Sequence, residues 1–252
     1  MNGLDLFSGI GGIGIALEPW VRTVAYCERD RYAQGVLLSR MRSGEIDTAP
    51  IWDDVTTLRA DMLPRIDIIF GGFPCQDLSV AKQNREGLDG ERSGLFFHIV
   101  RLARESRPAF VFLENVTAIR TVGAERVVKE LAGIGYDCRW TTLSAASVGA
   151  PHRRDRWFLL AHPKRERCIE GADESGRGKK RRSSDQPSDS SKASRTVAGI
   201  STETRNQWST ESSVLRVAHG IPNRMDRIRC LGNSVVPLQV RTAFQKLAGL
   251  TI

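Results

Sequence analysis

Along the chain, short runs of apolar residues alternate with segments whose apolar positions recur at helical spacing. The runs GLDLF (residues 3–7), TVAYC (23–27), IDIIFGG (66–72), AFVFLEN (109–115) and RWFLLA (156–161) predict strands. Several are apolar without alternation, the pattern of strands covered on both faces in a parallel sheet. Between them, Leu95, Phe96, Ile99, Val100 and Ala103 fall on one side of a helix running from Leu95 to Arg104, and Pro108 follows its end. PLQVRTAFQKLAGL predicts a closing helix after Pro237. Together these elements predict a doubly wound α/β domain.

The pattern stops near residue 163. From there, PKRERCIEGADESGRGKKRRSSDQPSDSSKASRTVAGISTETRNQ is rich in Ser, Gly and charge, with almost no large apolar side chains. Such a segment cannot bury enough apolar surface to order itself, so it reads as a loop or disordered insert whose KKRR is a candidate phosphate contact. Order is expected again from WSTESSVLRVAHGIPNRMDR onward, and no internal repeat is present.

At 252 residues the chain is long enough for one domain with a full core. No run approaches the roughly 18 apolar residues of a membrane span. The start MNGLDLFSGIGG has no basic leader region, so a cytoplasmic protein is expected. The formal net charge of +8 suits a polyanionic partner. Cys27, Cys75, Cys138, Cys168 and Cys230 are odd in number, widely spaced and free of any C-x-x-C pair, which points to free thiols and to no metal site.

Three features carry candidate chemistry. FSGIGGIG places Gly9, Gly11 and Gly14 after the first strand, and Glu28 ends the second. A glycine turn lets backbone approach a ligand closely and the acid accepts from ribose hydroxyls, an arrangement that serves a dinucleotide or S-adenosylmethionine alike. In FGGFPCQDLS, Cys75 is a nucleophile, a metal ligand or a small residue in a tight turn. Loops after parallel strands gather on one rim, so Cys75 and Glu114 are expected to converge beside the nucleoside pocket. In PHRRDRWF, strand alternation would place Arg154 and Arg156 on one face.

DLFSGIGG, GGFPCQDLS, ENV, RRDRW and LGNSVVP, in that order, resemble the motifs of DNA (cytosine-5) methyltransferases, over residues 4–161 and 231–240. The resemblance implies a Rossmann-like class I S-adenosylmethionine-dependent methyltransferase fold with a small, reduced target-recognition lobe. Residues 1–162 would form the catalytic and cofactor-binding domain and 163–230 a short, partly disordered recognition region. Residues 231–252 would return to the catalytic domain. It also implies S-adenosylmethionine as methyl donor and double-stranded DNA as partner, with a role in restriction-modification, in host-defence evasion or as an orphan enzyme; no metal and a monomer are expected.

By the same resemblance Cys75 is the nucleophile that adds to cytosine carbon-6, and Glu114 stabilises ring nitrogen-3 as acid or hydrogen-bond partner. Arg154 and Arg156 hold the base oxygen and help position the nucleophile. Leu6, Phe7, Gly9, Gly12, Val55, Pro74, Leu95, Asn233 and Val235 frame the cofactor. Glu28 holds its ribose, and Asp54 its adenine amino group, with Asp53 one residue away as the alternative. His152 stands where many members have glutamine, and Arg29 where an aromatic residue often packs on adenine. Arg216, His219, Asn223, Arg224, Arg227 and Arg229 are candidate DNA contacts. An RNA cytosine methyltransferase, a catalytically impaired DNA-binding paralogue and a dinucleotide oxidoreductase are the alternatives. Retention of Cys75, Glu114, Arg154 and Arg156 together argues against decay, and a dinucleotide enzyme leaves the cysteine loop and LGNSVVP unexplained.

Overall fold

The structure, a computed structural model, describes residues 1–74, 94–164 and 223–250. Its strands are β1 (Asn2–Leu6), β2 (Arg22–Cys27), β3 (Ile51–Trp52), β4 (Ile68–Gly72), β5 (Phe110–Val116), β6 (Tyr136–Ser144) and β7 (Asp155–Pro163). They form one sheet in the order β3-β2-β1-β4-β5-β7-β6. β3, β2, β1, β4 and β5 are parallel, whereas β7 runs antiparallel to both β5 and β6.

The described helices are α1 (Gly12–Leu17), α2 (Arg31–Arg42), α3 (Leu95–Ser106), α4 (Ile119–Val122), α5 (Ala124–Gly133), α6 (Arg224–Asn233) and α7 (Pro237–Ala248). Residues of α3 and α5 pack with Leu4, Leu6, Ile69, Val111, Leu113, Trp157 and Leu159 on one face of the sheet. Residues of α1 and α7 pack with Ile68, Phe70, Phe112, Phe158 and Leu160 on the other. Successive side chains of a strand point to opposite faces, so a sheet covered on both needs apolar residues at consecutive positions. This is why IDIIF and RWFLLA show no alternation. No helix among the described residues is long and apolar enough to cross a membrane.

One expected strand runs the other way, and two strands lie outside the expected set. The RWFLLA strand lies in the sheet antiparallel to its neighbours, so its beginning, and not its end, reaches the rim where β1, β4 and β5 end. The partner strand β6 was not expected, because YDCRWTTLS alternates irregularly and has one side of its ladder unpaired among the described residues. β3 has only two residues, too few for a periodic signal. The low-complexity insert and KKRR lie outside the described residues.

Candidate active site

The turn after β1 is built from backbone that bends left-handed three times, at Phe7 (φ 55°), Gly9 (φ 53°) and Gly11 (φ 83°). Phe7 takes this shape without the freedom of glycine, a strain of about 1–3 kcal/mol that its surroundings must hold. The carboxylate of Glu28, just past β2, does part of that holding. One oxygen accepts from the amide of Gly9 and the other from that of Asp30, each at 2.7 Å. Ionised carboxylates accept more than two hydrogen bonds, so Glu28 keeps lone pairs for a ligand hydroxyl. A Cβ placed on Gly9 would meet nothing within 4 Å, which leaves its face open to a ligand. The side chain of Leu6 is fully buried in the core, so only its backbone can line the site.

Beside this turn, Arg29, Arg31, Gln34, Asp53 and Asp54 line an open pocket of about 430 Å³. Asp54 accepts from the amide of Thr56 at 2.9 Å, and that bond holds its carboxyl below the usual range. Val55 is buried, and Arg101 of α3 clamps the loop by donating to the carbonyls of Val55 and Leu58. Leu95, at the start of α3, packs half-buried against the same core. A larger concavity, about 680 Å³, lies before β4 at the opposite rim and holds none of the candidate residues.

Glu114 and Asn115 sit near the end of β5, and both are buried. The Nε of Arg156 donates to Oε1 of Glu114 at 2.8 Å. Burial pushes the Glu114 carboxyl above its ordinary value, while Arg156 and Arg154 pull it back down. Gly72 is registered opposite Glu114 on β4, and a Cβ there would come within 2.8 Å of Oε2. The glycine therefore clears the space that the carboxylate occupies. Asn115 donates to the carbonyl of Phe73 at 2.9 Å, so β5 fixes the chain two residues before Cys75. Pro74 is exposed; Cys75 itself lies outside the described residues.

Arg156 lies on β7 and Arg154 immediately precedes it, and both guanidinium groups act on Glu114. Arg156 turns to Glu114, while Arg154 donates to the carbonyls of Gly232 at 2.9 Å and Ser234 at 2.6 Å. Those carbonyls belong to LGNSVVP, which thus returns to the sheet from far along the chain. There Val235 abuts Gly12, whose Cβ would come within 2.9 Å of Cγ2 of Val235. Asn233 ends α6 in an exposed position. Arg229 pairs with Asp30 and Asp226, so its charge is already engaged beside the glycine turn. Among the described residues no cluster of three His, Cys, Asp or Glu could hold a metal ion.

Asn115, Gly72 and Gln239 were missed as site residues. Asn115 had a signal, its place beside Glu114 at the strand end, whereas Gly72 acts through the space it leaves and Gln239 through hydrogen bonds to distant backbone, which no local pattern reveals.

A central β1 followed by a glycine turn, an acid closing β2 and an antiparallel β7 define the Rossmann-like class I fold of S-adenosylmethionine-dependent methyltransferases. The sequence profile of the C-5 cytosine-specific DNA methylases matches residues 1–223, and the chain belongs to that family. The type II methyltransferase M.CviJI of Paramecium bursaria Chlorella virus IL3A is 39% identical over 160 residues, 63% of this chain and 42% of that protein. M.HhaI of Haemophilus parahaemolyticus, also a type II methyltransferase, is 33% identical over 162 residues, 62% of this chain and 47% of its own. The match thus spans less than half the length of these relatives. Among solved structures, a protein encoded within an E. coli prophage and described as a DNA modification methyltransferase superposes with a TM-score of 0.53 at 27% identity. That superposition covers 65% of this chain and 47% of the other. A Spodoptera frugiperda DNMT2 mutant, at 20% identity and a TM-score of 0.53 over 69% of this chain and 53% of its own, shares the fold.

Proposed function

We propose that this protein transfers a methyl group from S-adenosylmethionine to carbon-5 of cytosine in double-stranded DNA, using Cys75 as nucleophile. The observation that carries the reading is the buried Glu114–Arg156 pair on the same rim as the anchored start of the cysteine loop. A carboxyl group whose proton affinity is raised by burial suits the task of donating to ring nitrogen-3 as negative charge develops there.

The turn at Gly9, with its open face, and the spare lone pairs of Glu28 fit a nucleoside. Glu28 would hold the ribose, Asp54 or Asp53 the adenine amino group, and Phe7, Gly12, Pro74, Leu95, Asn233 and Val235 the rest. S-adenosylmethionine, when bound, supplies an electrophilic methyl group. The chain's residues make the acceptor reactive. The Cys75 thiolate forms a bond to carbon-6, and the ring double-bond electrons move toward nitrogen-3, where Glu114 donates. Carbon-5, now nucleophilic, takes the methyl group; loss of its proton then expels the Cys75 thiolate and restores the ring. Arg156 and Arg154 hold the base oxygen and keep Glu114 oriented. Because the reacting carbon is stacked inside the duplex, the base must be flipped out, at a cost of a few kcal/mol that protein contacts offset. Residues 163–230 are the recognition region in this reading, and the similarity to type II methyltransferases supports a place in restriction-modification.

The test is transfer of labelled methyl to unmethylated DNA, with RNA and the Cys75→Ala variant in parallel. Label on DNA cytosine that disappears in Cys75→Ala, with S-adenosylmethionine binding retained, is the expected result. Label on RNA alone, or undiminished transfer by Cys75→Ala, would falsify the reading.

A further inference from the structure

Gln239, in the first turn of α7, is fully buried. Its side-chain nitrogen donates to the carbonyl of Leu143 at 2.8 Å and to that of Arg154 at 2.7 Å. Both neighbours are acceptors, so the nitrogen and not the oxygen must face them. These two carbonyls mark the place where the β6–β7 ladder opens, since its last registered pair is Ser144 with Asp155. Leu143 is itself registered with Arg156. The amide therefore spans the mouth of the hairpin, bonded to Arg154 on one side and to the cross-strand partner of Arg156 on the other. Among the described residues its oxygen is buried without a partner, a cost that an apolar side chain of the same size would avoid. A residue kept for packing alone would do better as leucine, so what the amide adds is the pair of donated bonds.

We propose that Gln239 is a positioning residue for the arginine pair, tying α7 to the backbone at Arg154 so that Arg154 and Arg156 keep their places beside Glu114. The assignment rests on the reading of that cluster as the base-activating site. The consequence is a mechanical link between the C-terminal helix and the acid. Arg154 grips Gly232 and Ser234 with its side chain while Gln239, five residues beyond Ser234, grips the carbonyl of Arg154. The turn that carries Asn233 and Val235 is thereby closed into a loop with the arginines. The Arg154 carbonyl also accepts from the Ala145 nitrogen at 3.0 Å, so the amide adds a second donor at the hairpin mouth.

The experiment compares Gln239→Leu and Gln239→Glu with the wild-type full chain, following kcat against pH and, independently of turnover, the titration of Glu114 by carbon-13 carboxyl NMR. Arg154 and Arg156 are the charged groups facing Glu114 among the described residues, and both favour its ionised form. Slackening them should raise the pH at which Glu114 titrates and move the alkaline limb of kcat upward with it. It should also lower kcat on the order of ten- to a hundredfold, as for a sub-ångström misplacement of catalytic groups. Gln239→Glu keeps the shape of the side chain but donates only when protonated, so its activity should recover toward acid pH. Gln239→Leu or Gln239→Glu with a Glu114 titration identical to wild type overturns the proposal, whatever the loss in melting temperature. A Leu variant that does not fold leaves the Glu variant to decide on the same titration. If the wild-type chain transfers no methyl, the base-activating reading falls, and the NMR titration still decides whether Gln239 positions the arginines.

Discussion

Arg156 donates through Nε to Oε1 of Glu114 at 2.8 Å, with both side chains nearly buried. One guanidinium thus faces a carboxylate in a place where neither is well solvated, and the pair is sensitive to pH and to the loss of either member. Breaking a buried pair from one side leaves an uncompensated charge, at a cost of about 3–5 kcal/mol. For Arg156→Leu this loss is expected at pH 8 and should shrink toward acid pH, where Glu114 takes up a proton. Urea melts at the two pH values measure it; an equal loss at both contradicts the account.

Burial raises the Glu114 carboxyl above its ordinary value, so the folded state holds this proton more tightly than the unfolded chain. The resulting stability is fully present below the unfolded carboxylate value and is lost as pH rises through the higher native value. Glu114→Gln has no such titration. The stability of wild type relative to Glu114→Gln should therefore decline as pH rises from the unfolded carboxylate value through the higher native one, and parallel curves would count against it. Methyl transfer by the wild type should fall on the alkaline side of the same native value, because the donor to ring nitrogen-3 is the protonated acid.

Gly71 and Gly72 are neighbours with different tasks. A Cβ on Gly72 meets the end of the Glu114 side chain, which can move, whereas one on Gly71 runs into the backbone carbonyl of Leu6. Gly72→Ala is expected to leave stability within about 1–2 kcal/mol of wild type while lowering methyl transfer at least about tenfold. Gly71→Ala should cost about 3 kcal/mol or more, since strands β1 and β4 must part. Comparing thermal melts with turnover for the two variants separates the roles, and a Gly72→Ala enzyme of wild-type activity removes the one given to Glu114.

Glu28 accepts two backbone amides, and hydrogen bonds to a charged group contribute about 1.5–3 kcal/mol each. Glu28→Ala should loosen the glycine turn and take away the ribose acceptor together. Isothermal titration is expected to show S-adenosylmethionine affinity reduced by at least about tenfold. An unchanged Kd would place the nucleoside elsewhere.

Burial pushes the thiol of Cys27 up to about 12 and that of Cys138 up to about 11. Neither forms appreciable thiolate at neutral pH, so neither can serve as nucleophile. Iodoacetamide at pH 8 should leave both unmodified in the native protein and reach them after unfolding in urea, as mass spectrometry will report. Fast native labelling of Cys27 would overturn its assignment to the core.

The strands at the centre of the sheet were legible because two covered faces demand unbroken apolar runs, and IDIIF, AFVFL and RWFLLA supply them. The glycine turn and Glu28 were legible because left-handed backbone and a capping acid leave residue types that spacing alone reveals. The direction of β7 was not, since burial on both faces looks the same whichever way a strand runs. That direction decided the site: it brings the beginning of the strand, where Arg156 lies, to the rim where β5 carries Glu114. The gap that Gly72 leaves for a carboxylate and the buried amide of Gln239 belong to the tertiary structure alone, because each depends on atoms tens of residues away.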